Sequence, residues 1–301
     1  MTVNIIDRTD ALADVPQQVA QAIVGEVETT STVMRLGKRV PVSTKEANVP
    51  VLTSVPDAAW LTGDTGWKPT TQATWENVTL LAEEIACVVP VPDAVLDDAS
   101  FDVWEMIKPL VSRAFARKID AAVMFGHGGP ASFGPGMVAR ATTATHVVAP
   151  TSDYAADLLS AAEAVSLTEH SVTGAVVRPG WQWTAARQRT GELVANPVGG
   201  DAFPLRLLGM GVATDPVYFD ATQATAIVAD WTSVLYGVRQ DMTFQVFDSG
   251  VIQDEDGSIA YNLIQQDVSA LRCVMRIGHV LATPVNAAGV AGVPVAIVDN
   301  A

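Results

Sequence analysis

The sequence is poor in cysteine, in aromatic residues and in positive charge. Only two cysteines occur in 301 residues, Cys87 and Cys273. They stand far apart, each inside an apolar run and neither in a CxxC or Cys/His ligand spacing, which argues against a thiol-bound metal. Both read as buried reduced thiols, with a single long-range disulfide as the lesser alternative. Their neighbours are Ile, Ala, Val and Met, surroundings that raise a thiol's pKa and blunt it as a nucleophile. Lys and Arg number 18 against 33 Asp and Glu, a formal charge of -15. That balance argues against a grip on nucleic acid, because such binding rests on cations that displace counterions from phosphates. No apolar run reaches the roughly 18 residues needed to span a bilayer. The opening MTVNIIDRTD lacks the charged and apolar stretches of a secretory signal. Synthesis in the cytoplasm and no membrane contact are the expectation.

Chemistry-bearing motifs are equally scarce. The four histidines, His127, His146, His170 and His279, form no HExxH or HxxxH and have no carboxylate at ligand spacing. GHGGP (126–130) has glycines that could offer backbone N–H groups to an anion, but it follows a helical pattern and fits neither GxGxxG nor GxxxxGK(S/T). There is no GxSxG nucleophile elbow. DEDG (254–257) lacks the distant Glu of a calcium loop and reads as a hairpin turn through Asp256-Gly257. The expectation is a protein without catalytic residues, metal or cofactor, whose work is contact.

What the chain does have is a large apolar content. Hydrophobic residues make up 49% and charged residues only 17%, below the roughly 25% usual for soluble domains. A substantial core is affordable at this length, and so sparse a charge suggests that much of the outside is covered. Residues 60–75 read WLTGDTGWKPTTQATW: Trp60, Trp67 and Trp75 sit among Thr, Gly, Pro and Asp, turn-forming residues that offer no local means of burying an indole.

Along the chain, residues 1–30 read as a polar arm, with Pro16 positioned to start a short helix through Val19, Ile23 and Val24. Val33 to Thr53 is β-branched and interrupted by Gly37, Pro41 and Pro50, so extended strands are predicted there and not helix. Residues 75–92 read as a second extended run returning beside the first. The period then changes. Trp104, Ile107, Val111, Phe115, Ile119 and Ala122 recur at helical steps, predicting a helix from Phe101 to Phe125 about 37 Å long. Ser100 is placed to cap it, Asp102 and Glu105 suit its N-terminal dipole, Gly126 suits its end, and Pro109 predicts a bend.

Residues 126–147 are a Gly- and Pro-rich connection. Helix is then predicted at 153–167, a buried strand at 174–179 and a short helix at 180–189, followed by extended segments at 205–215 and 224–238. The C-terminal part is strand-rich. Leu271, Cys273, Met275 and Ile277 alternate with Arg272 and Arg276, the two-faced pattern of a strand. The fold class is α+β.

The order of these parts resembles the major capsid proteins of tailed double-stranded DNA phages, the Hong Kong 97-type fold. The residues that carry the likeness are AWLTGDTGWKPTTQATWENVTLLAEEIACVVPVPDAVLDDASFDVWEMI, DAAVMFGHGGPASFGPG, GAVVRPGWQWTAARQR, LRLLGMGV with VADWTSVLYGV, and LRCVMRIGHVLATP. The resemblance implies an N-terminal arm (1–30), an extension loop built as a β-hairpin (31–85), a peripheral domain with a long spine helix (86–144), an axial domain (145–245), and a peripheral return with a C-terminal tail (246–301).

It also implies hexamers and pentamers of an icosahedral shell. That shell would enclose double-stranded DNA without sequence-specific binding, an acidic lining leaving the phosphates mobile. Portal, scaffolding and decoration proteins are the further partners the family suggests, with any scaffold a separate protein. Trp60, Trp67, Trp75 and Lys68 are the expected contacts to neighbouring subunits, since aromatic anchors contribute most where a partner excludes water. Some family members cross-link a loop lysine to an asparagine. Lys38, Lys45, Lys68 and Asn262 are of the right types, but nothing in their surroundings marks them, and ordinary solvated lysines are expected. Two rival readings are an encapsulin-type cargo compartment on the same fold and a hydrolase or carbohydrate-binding domain using His127 and the tryptophans.

Overall fold

The computed structural model describes residues 27, 30–56, 58, 60, 68, 70–98, 103–188, 205–207, 210–215, 217–254, 256–285 and 292–300. The predicted arm helix near Pro16, the cap Ser100 with Asp102, and Trp67 lie outside the described residues.

The first described element corrects the sequence reading. Thr32–Leu36 is a helix (α1), although Thr32 and Val33 have weak helix propensity. Its N-terminus is capped twice. Ser31 Oγ accepts from the Met34 N–H, and the distant carboxylate of Asp120 accepts from the N–H groups of Thr32 and Val33, both at 3.0 Å. A long-range acceptor overrides local preference here. Strand β1 (Lys38–Arg39) follows, then β2 (Glu46–Ser54) and β3 (Thr74–Leu81), which pair antiparallel from Glu46↔Leu81 to Ser54↔Thr74. Strand β4 (Glu83–Pro92) leads directly on and runs into α2 (Asp93–Asp98).

The predicted long helix is α3, Val103–Asp120, with Val111, Phe115, Ala116 and Ile119 buried and Pro109 within it. Its last predicted turn differs: Ala121–Phe125 is a fully buried π-helical turn. Gly126 ends it with φ 75°, the left-handed conformation glycine adopts freely. Gly136 then packs against this end, where an added Cβ would lie 2.4 Å from the Gly126 nitrogen. The expected connection is therefore folded, and it contains a helix the sequence reading missed, α4 (Met137–Thr143), which buries Met137, Val138 and Ala141.

Strand β5 (Val147–Val148) precedes α5 (Tyr154–Ser166), whose cap Asp153 accepts from the Ala155 and Ala156 N–H groups. Then come β6 (Gly174–Val177), α6 (Trp181–Gln188), β7 (Leu205–Leu207), β8 (Met210–Thr214), β9 (Ala226–Ala229) and the long β10 (Val234–Phe247). A hairpin of β11 (Val251–Gln253) and β12 (Ile259–Asn262) turns at Asp254–Ser258 with Gly257 at φ 83°. Helix α7 (Leu263–Gln266) leads into β13 (Val268–Leu281), and β14 (Val295–Val298) is the last strand.

Two sheets organise these elements. A four-stranded sheet has the order β1-β10-β13-β4, with β10 and β4 both antiparallel to β13. The alternation read from sequence holds: Leu271, Cys273, Met275 and Ile277 are buried and pack with Val111, Phe115 and Ile119 of α3, whereas Arg272 is exposed. Strand β4 is an edge, the position that tolerates its Pro90 and Pro92.

The six-stranded sheet has the order β5-β14-β9-β6-β8-β7. Its central strands are buried on both faces, and alternate residues serve different cores. Val176, Ile227, Ala229, Val295 and Ile297 join the core around α3. Ala175, Val177, Ala226, Val228, Ala296 and Val298 pack under α5 and Trp181. Strand β10 belongs to the four-stranded sheet and β14 to the six-stranded one, so the expected segments 145–245 and 246–301 each divide between the two sheets.

Candidate assembly interface

The β2–β3 hairpin is the feature that most needs a partner. Its strands pair only with each other among the described residues, and the nine residues of β2 reach roughly 30 Å. Isolated two-stranded ribbons are marginal in water. This one is supported by its own subunit along part of one face: Val49, Val51 and Val78 pack over Leu235, Val280 and Ala282, and the Val285 N–H donates to the Leu52 carbonyl at 3.2 Å. The ribbon is thus not wholly dependent on neighbours for a dry surface.

The base of the hairpin is seated by a glycine pair that sequence reasoning passed over. Gly237 of β10 and Gly278 of β13 lie directly opposite each other. A Cβ on Gly237 would come within 2.3 Å of Val42 Cγ2, and one on Gly278 within 2.3 Å of Leu80 Cδ2 and 2.7 Å of the Leu81 carbonyl oxygen. Two bare backbones side by side make a shallow saddle on which the chain entering and leaving the hairpin crosses the sheet. Glycine inside two otherwise apolar strand patterns was the available signal, since it marks a close backbone approach.

Beyond that saddle β2 keeps partial cover, but the facing residues 74–77 of β3 are exposed. Trp75, opposite Leu52, is 65% exposed, and Trp60 at the far end is 101% exposed. Lys68 is exposed between them in sequence. Two of the three predicted tryptophans and the lysine are therefore solvent-facing, Trp75 in β3 and Trp60 and Lys68 in the connection between β2 and β3, while Trp67 is outside the described residues. Of the cross-link candidates, Lys38 is in β1 against Leu235, and the Asn262 amide donates to Gln265 Oε1 at 2.8 Å.

The other histidine and carboxylate sites have structural partners. His127 Nδ1 is 2.8 Å from the Tyr218 hydroxyl, and its Nε2 is 3.8 Å from Asp220. His279 is buried, edge-on to Phe133, with Nδ1 3.1 Å from the Leu235 carbonyl. Burial holds its pKa down at about 4, so the ring is neutral. Trp181 is buried and stacked on Tyr154, while Trp183 is exposed. Among the described residues no group of three or more His, Cys, Asp or Glu is placed to hold a metal, and no helix is long and apolar enough to cross a membrane.

Residues 14–290 match the phage capsid family. The chain belongs to that family. The major capsid protein of Staphylococcus phage 80alpha is 25% identical over 264 residues, covering 85% of this chain and 78% of that one. A solved structure from Mycobacterium phage Cain is 30% identical, covers 90% of each chain and superposes with a TM-score of 0.76. One from Microbacterium phage Oxtober96 is 27% identical over 90% of this chain and 91% of the other, TM-score 0.75. The capsid of a native GTA particle, 16% identical over 90% of this chain and 91% of that one, TM-score 0.63, shares the fold. The fold is the Hong Kong 97-type α+β capsid fold, and this capsid subunit's work is to build a shell with copies of itself. The cargo-compartment and hydrolase readings find no support.

Proposed function

We propose that the chain is the major capsid protein of a tailed double-stranded DNA phage, closing an icosahedral shell from hexamers and pentamers. The hairpin of residues 46–81 is the arm that lies across a neighbouring copy, with Trp60, Trp67, Trp75 and Lys68 as its contacts. Residues 31–85 act as the extension loop, 86–144 and 246–301 as peripheral domain and tail, and 145–245 as the axial domain around the symmetry centres, with 1–30 as an arm. The observation that carries this reading is the exposure of Trp60 and Trp75 on a ribbon that rests on its own subunit along only part of one face. Indoles in that position become favourable when a partner removes water from them.

The shell encloses DNA without gripping it, because a subunit of charge -15 repels phosphate on average. It is made in the bacterial cytoplasm and catalyses no reaction, and portal, scaffolding and decoration proteins complete the particle. The test is a Trp60→Ala/Trp75→Ala variant. Each truncation is expected to remove about 2 kcal/mol of contact energy, so particles seen by negative-stain microscopy give way to small species while circular dichroism and melting temperature stay at wild-type values. Normal particles from the double variant would refute the role of the arm.

A further inference from the structure

The two cysteines, 186 positions apart in the chain, are direct partners in the sheet: Cys87 of β4 faces Cys273 of β13 in the antiparallel register. Opposed residues in such a pair have Cα atoms about 4.5 or 5.5 Å apart, depending on the hydrogen-bonding position, and disulfides span about 4.4–6.8 Å. Both side chains lie on the inner face of the sheet, and the thiols are within hydrogen-bonding reach of each other. Both are free. Cys273 is fully buried, whereas Cys87 is half-buried and opens into a cleft between β4 and α3 lined by Phe115, Lys118 and His127.

We propose that Cys87 and Cys273 form an oxidative clip: a disulfide made within one subunit, after folding, that fastens the hairpin-bearing edge strand to the central strand of the peripheral sheet. The position matters mechanically. Strand β4 follows β3 after one residue, so a pull on the hairpin is transmitted to the β4–β13 ladder. The pairing runs from Glu83↔Ile277 to Pro92↔Val268, with Cys87 near its middle. Reducing cytoplasm keeps such thiols open, and an oxidising exterior closes them. A shell assembled inside a cell and released from it passes from one to the other.

The chemistry is thiol–disulfide exchange with a small disulfide, oxidised glutathione serving as the probe. Cys87 is the entry point: it faces the cleft, and the hydrogen bond from Cys273 holds its pKa below the usual thiol value, partly offset by burial. Its thiolate attacks one sulfur of the small disulfide, that S–S bond breaks, and one glutathione leaves. The Cys273 sulfur then attacks Cys87, expelling the second glutathione as a thiolate that takes up the Cys273 proton. Two cysteine thiols are oxidised and one small disulfide is reduced to two thiols.

The test uses the purified full chain, incubated with oxidised glutathione, alkylated under denaturing conditions and weighed by intact-mass spectrometry. The expected product has lost two hydrogens, carries no glutathione and takes no alkylating agent. Its melting temperature rises on the order of 5–10 °C, and dithiothreitol reverses the rise. Cys273→Ala should instead hold one glutathione on Cys87 with no such rise, and Cys87→Ala should not react. Alkylatable thiols after oxidation, a persistent glutathione adduct on the wild type, or disulfide-linked dimers on a non-reducing gel would overturn the clip. The mechanical consequence rests on the shell reading, which particle formation tests by itself, so the two can fail independently.

Discussion

Asp120 fastens α1 to the end of the long helix α3. It is fully buried and accepts from Ser31 Oγ at 2.7 Å as well as from the Thr32 and Val33 N–H groups. Burial and the nearby Asp215 raise its pKa to about 7, against the pull of those three donors. Asp215 is raised too, chiefly by burial. A carboxyl raised in the folded state contributes stability that is fully present below its unfolded pKa near 3.8 and is lost as pH rises through about 7. His279 works the other way. Its pKa, depressed to about 4 from 6.5, contributes stability present above 6.5 and lost as pH falls toward 4. The two slopes oppose each other over the acid range. In Asp120→Asn the His279 slope should be unmasked, so that urea-unfolding midpoints rise more steeply with pH between about 4 and 6.5 than in wild type. Asp120→Ala leaves buried donors unpaired and is expected to cost about 3 kcal/mol or more by urea unfolding at neutral pH.

At the scale of elements, the hairpin is aimed by what lies beneath it. Gly278→Ala would drive a methyl group toward Leu80 and the Leu81 carbonyl, an overpacking expected to cost about 1–3 kcal/mol. Because backbone as well as side chain stands in the way, the base of the hairpin must lift. Limited proteolysis within residues 46–81 should become faster, and particle yield should fall, while cleavage elsewhere is unchanged. This saddle also shows where sequence reading stops. Strand β13 was legible because Leu271, Cys273, Met275 and Ile277 fall on alternate positions with Arg272 and Arg276 between them, and α3 because Val111, Phe115 and Ile119 repeat at the helical period. Both signals are local. Helix α1 depends on a carboxylate 88 residues away, α4 is overshadowed in sequence by the glycines and prolines around it, and the opposition of Gly237 to Gly278, like that of Cys87 to Cys273, exists only once two strands have found their register. The exposed tryptophans were legible for a different reason: no turn-rich segment can bury an indole by itself.

For the molecule as a whole, charge sets the terms of association. Copies carrying -15 each repel one another at a distance, so assembly driven by apolar arms should be favoured by screening. Raising ionic strength from about 0.05 to about 0.5 M shortens the screening length several-fold, and particle yield measured by light scattering should rise with it. A fall in yield over that range would mean that attractive charge pairs dominate the contacts. The arrangement of the six-stranded sheet adds a timing element. Strand β14 lies between β5 and β9, with alternate residues entering both cores. Translation delivers it after every other strand, so the sheet stays split while the ribosome is at work. On the proposed reading the arm emerges early, whereas the body it would embrace on a sister molecule is incomplete until residue 298 has left the exit tunnel, so the order of synthesis itself would hold back premature association of nascent chains.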